Sequence, residues 1–311
     1  MKKSIIFIAL LALCMAARAQ KKDTTKSVSS ADSLMNSLSP DGDKHQTILS
    51  TFSATRLIFS PTTETVKKKN FNFLVIHRFG DIGTSVGGPK TDFGLDAVND
   101  VYIGFEYGLS DNLNINFGRS TIGQLIELHL KYALLHQTND DSSPVGITVD
   151  GGMGIRPYQQ FSSFTNRISY IGEAIFSRRF TSALSLEVSP VFVSNNQPIP
   201  NLPGNESSFV SLSAAGRLKV TKHMSVLVDY EHPFSNYSTT ANRFEDPLGF
   251  GAEFVTGGHV FTLNITNAHA VSQINTLSAS QQAYGRGQFR FGFTISRMFD
   301  FNRKKDEEKK W

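Results

Sequence analysis

Residues 287–301 read GQFRFGFTISRMFDF. Phe289, Phe291, Phe293, Ile295, Phe299 and Phe301 fall on alternate positions, with Arg290, Gly292, Thr294, Ser296 and Asp300 between them. Successive side chains of a strand point to opposite faces, so this alternation predicts a β-strand with one apolar and one polar face. The phenylalanines must then meet either a protein core or an apolar medium outside the molecule.

The same pattern recurs backwards along the chain. Apolar residues alternate over Phe71–Val75, Val101–Leu109, Leu113–Phe117, Ile122–Leu134, Val145–Ile155, Ile168–Phe176, Leu184–Phe192, Val210–Val220, Met224–Tyr230, Leu248–Phe254 and Phe261–Ile265. With the closing segment this predicts roughly twelve strands of about ten residues. Their other parity carries Glu106, Glu127, His129, Lys131, Asp150, Glu173, Glu187, Arg217, Lys219, Asp229, Glu231, Glu253 and Arg290. Gly104, Gly108, Gly152, Gly154, Gly249 and Gly251 share it.

Soluble sandwiches alternate too, so the connections decide. Links after odd-numbered strands are long: 79–98, 156–166, 194–208, 232–247 and 267–287. Most links after even-numbered strands are short, around Ser110-Asp111, Arg178-Arg179, Thr221-Lys222 and Gly257-Gly258. The link after the third strand is short and 136–144 is of middling length, and both depart from the parity. A Greek-key sandwich gives no reason for such parity, whereas outer-membrane barrels have short periplasmic turns and long outer loops. The expected fold is all-β: a transmembrane antiparallel up-and-down barrel, both termini periplasmic, phenylalanines toward lipid and charges toward a lumen. Tyr107, Tyr132, Tyr170 and Tyr230, near strand ends, suit an interfacial girdle.

The N-terminus agrees with export. MKKSIIFIALLALCMAARAQ joins Lys2 and Lys3 to an apolar run too short to span a bilayer and an A-x-A site at Ala17-Arg18-Ala19. Residues 1–19 are expected to be a cleaved signal peptide, 20–48 a disordered periplasmic lead, 49–301 the barrel and 302–311 a charged tail. Leu13 before Cys14 does not fit a lipoprotein signal. Of the formal charge of +4, three come from Lys2, Lys3 and Arg18, so no basic field remains to attract nucleic acid. Cys14 is the chain's one cysteine, which leaves the exported part without disulfides.

Two stretches, TRLIFSPTTETVKKKNFNFLVIHRFGDIG (55–83) and GGHVFTLNITNAHAV (257–271), resemble an uncharacterised family of Gram-negative outer-membrane β-barrel proteins. The likeness covers most of the mature chain. It is specific in Thr55-Arg56-Leu57-Ile58, His77-Arg78-Phe79-Gly80, and Gly257-Gly258-His259 with Thr266-Asn267. It implies a barrel at the bacterial surface and brings no reaction or ligand.

Catalytic patterns dissolve on inspection. Gly83-Thr84-Ser85-Val86-Gly87 matches a nucleophile elbow, but no helical periodicity follows, so an outer loop is the better reading. The same loop approximates a phosphate-binding loop, with Pro89 where the lysine belongs. Glu127, His129 and Lys131 share one face of a strand, which reads as a ladder of lumen charges paired with Asp150 and its neighbours. No histidine or cysteine pair has metal-ligand spacing. The expected function is a narrow passive or gated pore for a small polar solute, with no catalytic residue and no cofactor. The alternative is a closed barrel that partners other envelope proteins, and a barrel enzyme at the outer leaflet is disfavoured. Outer-membrane lipid and a small polar solute are the expected partners, and a protein partner is left unspecified.

Three finer expectations follow. Gly257-Gly258 should form a two-residue turn needing positive φ, placing Thr256 opposite His259, Phe254 opposite Phe261, Ala252 opposite Leu263 and Phe250 opposite Ile265. Lumen charges should bridge, Glu187 with Arg217, while the inward glycines leave gaps for solute. Residues 49–66 lack alternation and admit an extra strand, a short helix or a plug.

Overall fold

The structure, a computed structural model, describes residues 50–83, 87–196, 207–235, 245–279, 283 and 288–301. Twelve strands follow in chain order: β1 (Phe71–Asp81), β2 (Val98–Gly108), β3 (Leu113–Ser120), β4 (Ile126–Leu135), β5 (Gly146–Ile155) and β6 (Ile168–Arg179). The rest are β7 (Leu184–Asn195), β8 (Ser208–Lys219), β9 (Met224–Phe234), β10 (Leu248–Thr256), β11 (His259–Thr266) and β12 (Arg290–Phe299). Each pairs antiparallel with its sequence neighbours, and β1 pairs with β12, closing the barrel. Closure leaves no sheet edge, as a sheet in an apolar medium requires.

The two faces are inverted relative to a soluble protein. Leu130, Phe250 and Leu263 point outward and are 52%, 48% and 59% exposed, so no core covers them. Phe293 also points outward, its ring stacked on His77 at 5.2 Å and beside Phe79 at 6.0 Å. Asn72, Asp100, Asp229, Glu231 and Glu253 point inward and are fully buried.

Loop parity holds even where loop length does not. Strand direction puts the turns 109–112, 180–183, 220–223 and 257–258 at the end that also carries Phe71 and Phe299. The strand ends that bound the links 82–97, 156–167, 196–207, 235–247 and 267–289 lie at the other end. The middling link 136–145 falls with the turns and the short link 121–125 with the long loops, as an up-and-down order demands. Ile122, expected to open the fourth strand, sits instead in a 3-10 turn at Ile122–Gln124, because Gly123 takes φ +67° there.

The β10–β11 register is the expected one: Thr256 pairs with His259, Phe254 with Phe261, Ala252 with Leu263 and Phe250 with Ile265. Of the two turn glycines only Gly258 has positive φ, +93°. The signal peptide, the lead, the tail and the centre of the Gly83–Gly87 motif lie outside the described residues.

Candidate functional site: a lumen filled from both ends

Residues 50–66 fold inside the barrel and settle the open question as a plug. Leu57 N–H donates to Ser60 O and Thr62 N–H to Thr55 O, both at 2.9 Å, closing a tight turn with Leu57-Ile58-Phe59-Ser60 at its tip. The Glu64 carboxylate ties the segment's ends together by accepting from Thr51 N–H at 2.7 Å and Phe52 N–H at 3.0 Å. Phe52, Leu57, Ile58 and Phe59 then form a buried cluster with Ala215 and Leu227 of the wall and Ala268 of the loop opposite.

The tip rests on one side chain. Asp229 Oδ2 accepts from the N–H groups of Ile58, Phe59 and Ser60 at 3.1, 2.7 and 3.0 Å, and Asp229 Oδ1 accepts from Ser60 Oγ at 2.7 Å. Four hydrogen bonds from the tip converge on this one carboxyl group, so Asp229 is the anchor of the tip. Around it Ser60 Oγ meets Ser213 Oγ at 2.6 Å, Thr55 Oγ1 donates to Glu106 at 2.7 Å, and Lys131 Nζ donates to Thr55 O at 3.1 Å.

Residues 267–279 enter from the loop end. Their short helix, Gln273–Ser278, is wholly buried. Val271 N–H donates to Asp100 at 2.9 Å, Ser272 Oγ to Glu127 at 2.6 Å and Gln273 Nε2 to Glu231 at 2.9 Å. Arg156 holds Asn275 Oδ1 at 2.8 Å, and Asn195 Nδ2 donates to Ser278 Oγ at 2.9 Å. Ile274 and Leu277 pack with Leu125, Ile171, Val191, Val193 and Phe209. Asp100 also accepts from Ser120 and Thr121, so one carboxylate fixes both the β3–β4 turn and this loop.

The space beside the inward glycines is occupied, at some by these inserts and at others by wall side chains. A Cβ on Gly249 would stand 2.9 Å from Ile58 Cγ2, and one on Gly154 2.8 Å from Leu125 and 3.1 Å from Ile274. At Gly108 the backbone leading from the plug to β1, Val66 O and Lys67 O, occupies the place of a side chain. Gly152 accommodates the His129 ring, and Gly104 gives room to Tyr102 and Leu74. A cavity of about 40 Å³ remains beside the plug, lined by Thr55, Arg56, Tyr102, Glu106, Glu127, His129, Lys131, Asp150 and Gln273. That is room for a few waters.

The expected charge network is met only in part. His129 Nδ1 lies 3.3 Å from Asp150 and its Nε2 4.0 Å from Glu127. Glu187 and Arg217 do not pair. Register puts Glu187 opposite Ala215 and Arg217 opposite Ser185, and Arg217 reaches across β9 to Glu253 at 2.7 Å. Lys219 is exposed at the end of β8, outside the network. Both Glu187 oxygens, Glu173 Oε2, Glu231 Oε2 and Arg290 Nε are buried without a hydrogen-bond partner. Arg78 and Asp100 were missed because each lies beyond the alternation that marked its strand. Arg78 is fully buried, bonded to Asn264 and with its guanidinium 5.9 Å from the Phe59 ring of the plug.

Residues 52–299, plug and barrel together, match the family described as a membrane bound beta barrel domain (DUF5777). The chain belongs to this family. The match begins within the plug, so the inserted segment is part of the domain. Solved structures similar to the chain include the NanC porin, at 9% identity over 74% of this chain and 100% of that one, with a TM-score of 0.45. The KdgM porin matches at 8% identity over 74% and 99%, TM-score 0.45. Salmonella typhi OmpF in complex with daunomycin matches at 8% identity over 74% and 97%, TM-score 0.38. No curated protein matches the chain.

Proposed function

We propose that this membrane-bound barrel is a gated outer-membrane pore for small polar solutes, here in its closed state, with residues 50–66 as the gate. On this reading an export signal delivers the chain, the outward apolar belt meets lipid, and the short turns and both termini face the periplasm. One observation carries it: the wall behind the plug is polar on strand after strand, although the plug and loop fill the lumen. Some of these carboxylates hold the inserts, but a permanently filled interior gains little from the ones without partners, such as Glu187, and apolar side chains of similar volume often stabilise it more. A wall that is periodically wet gives such groups water as a partner. The tip contact supports the same reading, since Asp229 holds it through hydrogen bonds that water can replace.

The second reading, a closed barrel that partners other envelope proteins, is favoured by the double filling and opposed by the unpartnered Glu173 and Glu187 oxygens. Recording from the purified full chain in planar bilayers separates them. The pore reading expects brief openings from the wild type and a higher open fraction from Asp229→Ala. Silence from both proteins, with barrel structure confirmed by circular dichroism, would sink it.

A further inference from the structure

Between the plug tip and the inserted loop, the inward side chains of β6 to β9 form one polar seam. Cross-strand register places Ser189 opposite Ser213 and Ser213 opposite Glu231, with Glu187 one inward position below Ser189. Glu173 and Ser211 flank Val191 on either side in the next row. Ser189 and Ser211 are 1% and 2% exposed, yet neither hydroxyl has a hydrogen-bond partner. Both Glu187 oxygens and one each of Glu173 and Glu231 are in the same condition. Unmet buried polar groups are few in a native protein, and each asks for a reason. Here they lie on neighbouring strands, within three successive inward rows.

The seam lies where closure is made. Ser60 of the plug touches its Ser213 at 2.6 Å, and Gln273 of the loop donates to its Glu231 at 2.9 Å. Withdrawal of either insert exposes it to water at the middle of the lumen. Hydrated carboxylates are ionised at neutral pH, so an opened seam holds Glu173, Glu187, Asp229 and Glu231 as negative charges. The bases on the inward faces of these strands, Arg179, Arg217 and Lys219, lie toward the short-turn end, and Arg217 is already bound to Glu253. Acidic side chains lining a pore select for cations, and their neighbouring hydroxyls can replace part of a cation's hydration.

We infer that the Glu173–Glu187–Glu231 seam, with Ser189 and Ser211, is the selectivity region of the opened barrel and admits small cations and amines in preference to anions of the same size. This rests on the gated-pore reading. The test is the reversal potential of full-chain openings, wild type and Asp229→Ala, in a potassium chloride gradient. Both are expected to favour potassium over chloride, and the triple change Glu173→Gln, Glu187→Gln, Glu231→Gln is expected to abolish that preference while openings persist. If the triple variant does not fold, Glu187→Gln alone should reduce the preference. Openings without cation preference, or a preference untouched by these changes, overturn the inference and leave the pore standing. Absence of openings in any variant overturns the pore reading itself.

Discussion

Asp229 illustrates how one inward carboxylate can control a whole segment. A hydrogen bond contributes about 0.5–1.5 kcal/mol, so replacing one of this side chain's acceptor oxygens weakens several contacts at once. Asp229→Asn is expected to speed amide hydrogen exchange at Ile58, Phe59 and Ser60 by about tenfold or more, since 1.4 kcal/mol corresponds to a factor of ten. Unchanged protection there would show that Asp229 is not the anchor. A second residue-scale contrast uses space. Gly249→Val drives side-chain atoms into Ile58 and is expected to raise exchange in the plug, whereas Gly172→Ala, whose Cβ meets nothing within 4 Å, should leave stability within about 0.5 kcal/mol of wild type. Equal effects from the two substitutions would contradict the packing described. Asp229 was legible as an inward charge from strand parity alone; its partner was not, because parity says which way a side chain points and nothing of what fills the space it points into.

At the scale of elements, the strands were readable because each must show one face to an apolar medium and the other to polar groups, which forces a period of two. The two inserts escape that rule. Leu57-Ile58-Phe59 is a short unbroken apolar run, buried on all sides, and a run that short carries no period. The helix Gln273–Ser278 has six residues, under two turns, so its buried face leaves no pattern either. That loop has a pH dependence of its own. Burial, with Arg290 adding to it, lowers the His269 imidazole to about 4. A released loop, with an ordinary histidine near 6.5, then binds a proton that the seated loop does not. The stabilisation of the seated state is complete above about 6.5 and is lost as pH falls toward 4. Exchange protection of residues 267–279, corrected for intrinsic rate, should therefore fall between pH 7.5 and pH 5, and His269→Gln should flatten the change. Protection that rises on acidification would reverse the sign and refute the assignment.

For the molecule as a whole, loop parity carried the topology. An up-and-down barrel has alternate links at alternate ends whatever their lengths, which is why 121–125 and 136–145 obey the order despite their size. What loop lengths could not reveal is that the lumen is closed, since closure comes from a segment before the first strand and a loop that turns inward. Single cysteines at Lys222 and Asn166 test the orientation in cells: a membrane-impermeant thiol reagent should label Asn166→Cys from outside and spare Lys222→Cys. The reverse pattern would invert the barrel.

The central claim is that residues 50–66 close the lumen and must move for it to open. Ser60 and Ser213, with hydroxyls 2.6 Å apart, offer a lock between gate and wall. In a chain with Cys14→Ser, the pair Ser60→Cys and Ser213→Cys is joined by oxidation and its single-channel current compared before and after reduction. Current should be silent when oxidised and restored when reduced, with neither single-cysteine chain responding to the reagents. Equal conductance in the oxidised and reduced states of a demonstrably cross-linked protein would contradict it.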